Sequence, residues 1–261
     1  MKEKTEILYE DQAVLAVFKP PRWVVIPDHW DLGRPSLISI LQKTRPEKLY
    51  VVHRLDAGTS GAVLFAKTEQ AHRFLCEQFE KRLVQKTYSA VVDGEVEQDG
   101  LIDLPLSEDP RKKGRMMVSD HGKPSSTGFR VAERFRGFTL LDASPKTGRT
   151  HQIRVHLSAI GHPLVVDPDY GGREAFFLSE IKRGYKHKQD EPDRPLISRL
   201  TLHAGEIRFV HPDSGGEMEV KAELPKDMRA LLHALRKYRA RTDAGPDWIG
   251  QIPHFDKEGP S

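Results

Sequence analysis

Cysteine is almost absent from this chain. Cys76 is the single cysteine among 261 residues, so no internal disulfide can form and paired-thiol chemistry is excluded. Its place in a helical pattern suits a small packed residue better than a nucleophile, and the lack of disulfides suits a reducing compartment. Long apolar runs are also missing. No stretch approaches the roughly 18 residues that span a bilayer, and no N-terminal stretch has signal-peptide form, so a soluble cytoplasmic protein is expected. Neither sign of charge dominates: 41 Lys and Arg oppose 38 Asp and Glu, for a formal charge of +3. Binding to a polyanion must therefore be argued from where cations cluster. There is no Gly-x-Gly-x-x-Gly fingerprint and no phosphate loop ending in Gly-Lys-Ser/Thr, so nucleotide cofactors are not indicated. Repeats and low-complexity segments are absent.

Two polar segments stand out against this background. His53-Arg-Leu-Asp-Ala-Gly-Thr-Ser-Gly61 places Asp56 in a turn between apolar Tyr50–Val52 and Ala62–Ala66. A sheet can hold such a turn rigidly and leave the carboxylate open to a substrate, although Asp is also a common turn former in its own right. Ser60 lies between Thr59 and Gly61 without a Gly-x-Ser-x-Gly elbow, which gives little support to a hydrolase triad. The second segment, Lys146 to His162, reads as a turn and then a helix, with Thr150 as N-cap and Gly161 as stop. Ile153, Leu157 and Ile160 would face the core, leaving Arg149 and Arg154 on the polar side. Cations are disfavoured near a helix start, so an anion is expected to compensate them: phosphate, a carboxylate such as Asp56, or both. His151 and His156 do not share a helix face, and no metal site is expected.

The remaining pattern is rich in strands. A strand, turn and strand over Ile7 to Phe18 end at Pro20-Pro21, and further strands are expected near 86–92, 127–133, 138–144, 199–208 and 217–222. Helices are expected at 36–44, at 69–81 with Thr68 as cap and Phe74, Leu75 and Phe79 as anchors, and from Pro225, burying Met228, Leu231, Leu232 and Leu235. Without regular strand–helix alternation this predicts an α+β mixed sheet rather than a doubly wound one. Residues 1–238 form one expected domain, and 239–261, rich in Gly, Pro and Asp towards the end, a loosely ordered tail. Basic runs occur at Arg111–Arg115, Lys182–Lys188 and Arg236–Arg241; two contain a Tyr able to stack on a base, and solvated loop and helix ends are the plainer reading.

The two polar segments, together with Lys86-Thr-Tyr-Ser-Ala-Val-Val-Asp-Gly and Arg199-Leu-Thr-Leu-His-Ala, resemble the RluA family of RNA pseudouridine synthases, in family order from about Ile7 to Leu224. One departure is Phe18, where the family usually carries Asn before Lys-Pro. The resemblance implies a largely antiparallel, bifurcated sheet with flanking helices and a central RNA-binding cleft. It also implies no cofactor, and no N-terminal S4 module, since six residues precede the first strand. By that resemblance Asp56 is the nucleophile, Arg154 its partner and Tyr88 the ring under the flipped base. Leu202 packs on the base, Arg54 fills the space it leaves, and Arg149 and His151 contact substrate. Structured RNA is the implied partner, ribosomal RNA ahead of transfer RNA, with a monomer sufficient for one site per chain. Specificity is expected in the loops around Arg22–Arg45, Arg111–Arg115 and Arg173–Pro195. From the residues alone, Tyr88 also fits an ordinary half-buried strand aromatic and Arg154 a carbonyl cap. A glycosidase pairing Asp56 with Asp142, Asp167 or Asp169, and a non-catalytic RNA-binding protein, are the rival classes.

Overall fold

The computed structural model describes residues 5–27, 35–185 and 193–241. Strands β1 (Ile7–Glu10) and β2 (Val14–Lys19) form the expected hairpin, followed by α1 (Leu37–Gln42), the short β3 (Tyr50–Val51) and β4 (Ser60–Ala66). Helix α2 (Glu69–Glu80) starts at Thr68, whose side chain accepts the Ala71 amide at 3.1 Å. Next come β5 (Gln85–Asp93), β6 (Gly100–Asp103), β7 (Leu106–Glu108), β8 (Met116–Val118), β9 (Ser126–Phe135) and β10 (Phe138–Pro145). Helix α3 (Gln152–Ala159), β11 (Leu202–Val210), β12 (Glu217–Lys221) and α4 (Lys226–Tyr238) complete the order. The α+β expectation holds, with β6, β7 and β8 added.

The main sheet runs β1-β2-β4-β11-β5-β10-β9-β6, with β3 paired to β4 and β12 to β11. Every pairing is antiparallel except β4 with β11, which meet in parallel only at Ser60–His203 and Gly61–Ala204. Beyond that short contact the partners diverge: β4 continues against β3, and β11 against β12. The sheet is thus bifurcated. Gly61 permits the junction, because its φ of +131° is strained for an L side chain and an added Cβ would lie 2.2 Å from the Ala204 carbonyl oxygen.

Strand β4 is buried along its whole length, in keeping with its apolar run Ala62–Ala66. Val63 and Phe65 join the core with Leu15, Val17, Leu37 and Leu157, while Ala62, Leu64 and Ala66 pack with Ala71 and Leu75 of α2. Helix α4 buries Met228, Leu231, Leu232 and Leu235 against Val91, Phe135 and Phe176. Phe74 and Phe79 of α2 are only half-buried, leaving Leu75 as the buried anchor. Phe18 pairs with Ala62, and its ring lies 6.1 Å from that of His203. The expected tail beyond residue 241 falls outside the described residues, as do 28–34 and 186–192 within the expected specificity loops.

Candidate active site

The loop before β4, the middle of β5, the first residue of β11 and the start of α3 converge beside the parallel junction. They line an open cleft of about 500 Å³ that brings together Arg54, Asp56, Tyr88, Arg149, His151, Arg154 and Leu202. All seven residues singled out in the sequence therefore share one cavity.

Asp56 sits in a turn closed by the Thr59 amide donating to the Asp56 carbonyl at 3.1 Å. The next residue is held from below. Lys19 is fully buried, and its Nζ donates to the carbonyls of Trp23 (2.7 Å), Pro20 (3.0 Å) and Ala57 (3.1 Å). Burial pulls the Lys19 pKa down to about 7, opposed by the charge of Asp56 and assisted by that of Arg199. Gly58 is required on the other flank, where a Cβ would meet Leu200 Cγ at 2.6 Å. The turn is a rigid mount, and the Asp56 side chain stays 25% exposed.

Arg154 is the electrostatic centre. Its Nη1 lies 3.6 Å from Asp56 Oδ2. Its closer partners are Asp167, gripped through Nε at 2.7 Å and Nη2 at 2.8 Å, and Asp169, at 2.9 Å from Nη2. This corrects two expectations. Arg154 is buried rather than on a polar face, and the anions offsetting it are first Asp167 and Asp169, with Asp56 more distant. Burial disfavours its charge, but the hydrogen bonds and charge of Asp167, then the charge of Asp56, outweigh that and raise its pKa. Tyr170 faces the guanidinium at 4.9 Å and carries Arg115 at 5.2 Å.

Helix α3 is buried from Gln152 through Leu157, so its polar residues must be satisfied internally. Gln152 donates to the Ser126 carbonyl and to Thr127 Oγ1, both at 2.9 Å. It accepts from Thr147 Oγ1 at 2.6 Å and from the Arg149 amide at 3.0 Å. His156 Nε2 donates to the Leu104 carbonyl at 3.0 Å, leaving Nδ1 to accept from Thr127 Oγ1 at 2.9 Å. The helix start is His151, in the left-handed region (φ 54°, ψ 16°), rather than Thr150. The Tyr170 hydroxyl accepts the Met116 amide at 2.8 Å and donates to His151 Nδ1 at 2.9 Å, which holds that unusual backbone. Burial lowers the His151 pKa, with Asp56 opposing. Ile160 falls beyond the last helical turn and is 37% exposed instead of packed.

Tyr88 shares a face of β5 with Ala90 and Val92. Its phenol pKa is raised, first by burial and then by the charge of Asp56. Leu202 is buried at the start of β11, where Arg199 clamps the chain by donating to the carbonyls of Leu200 (2.9 Å) and Leu202 (3.3 Å). Arg199 is itself held by Asp227 at 2.6 and 2.8 Å. Lys19 and Tyr170 support the site without having been singled out in the sequence, and Asp167 and Asp169, named there as rival acid partners of Asp56, instead hold Arg154.

A carboxylate on a rigid turn beside a fixed guanidinium, a buried phenol and an apolar side chain, with unpaired cations at the rim, defines a carboxylate-centred enzyme for an anionic substrate. The family model for RNA pseudouridylate synthase matches residues 13–159, more than half of the chain. A dual-specificity RNA pseudouridine synthase RluA from Vibrio vulnificus is 42% identical over 217 residues, covering 80% of this chain and 79% of the relative. A ribosomal large subunit pseudouridine synthase D from Nitrosomonas europaea is 38% identical over 238 residues, covering 88% of this chain but 65% of the relative. Among solved structures, human RNA pseudouridylate synthase domain containing 1 superposes with a TM-score of 0.66 at 28% identity, over 94% of this chain and 97% of that one. The chain belongs to the RNA pseudouridylate synthase family.

Proposed function

We propose that this chain isomerises uridines in structured RNA to pseudouridine, with large-subunit ribosomal RNA favoured over transfer RNA as substrate. The observation that carries the reading is Asp56, rigidly mounted and 3.6 Å from the guanidinium of Arg154, in one cleft with Tyr88 and Leu202. The reaction breaks the bond from uracil nitrogen to ribose, turns the freed base and rejoins it through carbon, without net redox change, so it needs no cofactor. Asp56 attacks the nucleoside, and Arg154, with its guanidinium plane fixed by Asp167, turns Nη1 towards that carboxylate and orients it. Tyr88 and Leu202 hold the base between them, and Tyr88 assists removal of the proton from the carbon that has joined the ribose. Extruding the base from its stack costs a few kcal/mol, least in a loop, and Arg54 occupies the space left behind. Arg149 and His151 contact the nucleotide from the α3 side. A monomer in the cytoplasm, where RNA is made and folded, suffices for this activity.

The ribosomal preference rests on the D-type relatives, whose names specify the large subunit, set against a relative named for dual specificity. The test is to incubate purified protein with large-subunit ribosomal RNA and transfer RNA transcripts and map pseudouridine by mass spectrometry. New pseudouridine at defined positions, more in the ribosomal transcript, is expected, with none from Asp56→Asn. Release of free uracil would assign a glycosidase instead. Binding without either product would leave an RNA-binding protein.

A further inference from the structure

A second, open cavity adjoins the catalytic cleft and shares Arg54, Lys86, Tyr88, Thr147, Gly148 and Arg149 with it as a common wall. We infer that this cavity, bounded by Arg54, Arg82, Lys86, Lys146 and Arg149, is a phosphodiester site that grips the single-stranded RNA backbone next to the flipped nucleotide. The inference rests on the proposed RNA substrate and adds where the strand leaves the active site.

The first support is charge balance. Five cations line the cavity, against Glu80 as the acidic residue of its lining. Among the described residues, Arg54, Arg82, Lys146 and Arg149 make no side-chain ion pair or hydrogen bond, and Lys86 has only the Phe79 ring, 6.0 Å from its Nζ. Several arginines elsewhere are instead neutralised within the chain. Arg45, Arg154, Arg173, Arg199 and Arg236 each grip a carboxylate at 3.0 Å or less.

The second support is desolvation. Lys86 is half-buried, and its pKa is lowered by burial. Arg149 Nε is buried without a partner. A cation removed from water without a counter-charge is costly, and an incoming anion offsets that cost. The third support is rigidity. The 146–149 loop is pinned by the Lys146 amide on the Ser126 carbonyl at 2.9 Å and by Gln152 on the Arg149 amide at 3.0 Å. The floor is aromatic and uncharged. His53 accepts the Leu64 amide at Nε2, which requires a neutral ring, and stacks on Phe79 with centroids 4.9 Å apart. Cations spread around an aromatic floor suit a ribose–phosphate strand better than a single small anion.

The test is fluorescence anisotropy with a fluorescein-labelled oligouridylate of eight nucleotides, titrated from low to high KCl. For single strands, log Kobs falls with log[salt] by about 0.7 per phosphate contacted. The double variant Lys86→Gln/Arg149→Gln is expected to lose about 1.4 from that slope and to bind roughly tenfold more weakly at moderate salt. Arg82→Gln/Lys146→Gln, altering exposed side chains, is expected to lose a similar amount and guards against a folding defect in the first pair. Lys226→Gln, exposed and outside both cavities, should keep the wild-type slope. Wild-type slopes in both double variants, or no oligouridylate binding by the wild type, would overturn the site. If the wild type binds with the expected slope but makes no pseudouridine, the site stands and the isomerase reading fails. If it makes pseudouridine while the variants keep the full slope, only the phosphate site fails.

Discussion

At the scale of single residues, the geometry turns on how Arg154 divides its donors. Two of its nitrogens are committed to Asp167 and Asp169, which fixes the plane of the guanidinium and leaves Nη1 towards Asp56. Asp167 is fully buried, so removing its charge leaves a buried cation short of a partner. Asp167→Asn is expected to destabilise the protein by about 3 kcal/mol in urea denaturation and to lower turnover as well. Wild-type stability and turnover would show that Asp169 and Asp56 suffice. Tyr88→Phe separates stacking from proton transfer: it should retain RNA affinity within about twofold while single-turnover pseudouridine formation falls by about 10²-fold or more. Equal losses in affinity and rate would reduce Tyr88 to a packing role. Asp56, Tyr88 and Arg154 were legible because each stands in a local motif. Asp167 and Asp169 were legible only as alternative acids beside Asp56, since their relation to Arg154 exists only after folding. The remaining signal was the chemistry of an acid following Val165-Val166, which must find a cation if that apolar run is buried. Lys19 gave a similar hint, a lysine ending a strand whose neighbours are apolar.

At the scale of elements, the parallel contact between β4 and β11 sets the position of the cleft. Gly61→Ala would force a Cβ against the Ala204 carbonyl at a strained φ, and a loss of more than about 2 kcal/mol is expected. The β1–β2 turn is tied to the body by Glu10, which accepts from Arg45 Nη2 at 2.8 Å and from Lys67 Nζ at 2.8 Å. Those hydrogen bonds, Arg45 first, lower the Glu10 pKa to about 2. A carboxylate whose pKa falls on folding stabilises fully above its unfolded value and loses that contribution as pH drops through the folded one. The stability difference between wild type and Glu10→Gln, read by urea denaturation, should therefore be constant above about pH 5 and shrink towards pH 2. A difference independent of pH would contradict the pairing. The long or strongly patterned elements, β4, α2 and α4, were legible from burial periodicity and caps. Strands β6, β7 and β8 have four residues or fewer and carry too little pattern of their own. The start of α3 was misplaced because Tyr170, distant in sequence, stabilises a left-handed His151 that local propensity disfavours.

At the scale of the whole molecule, charge is sorted by use. The basic run Arg236–Arg241 reads in sequence as a candidate RNA patch, yet Arg236 is bound to Glu133 and Arg241 lies 3.5 Å from Glu97. The Arg111–Arg115 run instead reaches the site, with Lys112 on Asp169 and Arg115 over Tyr170. The Lys182–Lys188 run is described only as far as residue 185, where Lys182 faces the rings of Tyr185 and Tyr238. Arg54, Lys86 and Arg149 line both the catalytic cleft and the cavity beside it, and Arg82 and Lys146 join them in the latter, where a polyanion would lie. Among the described residues, no helix is long and apolar enough to cross a membrane. Asp56-dependent isomerisation is tested most directly by mapping pseudouridine in total RNA from cells lacking this protein, complemented with wild-type or Asp56→Ala protein. One or more sites are expected to disappear, and only the wild type to restore them. Unchanged sites, or restoration by Asp56→Ala, would contradict it.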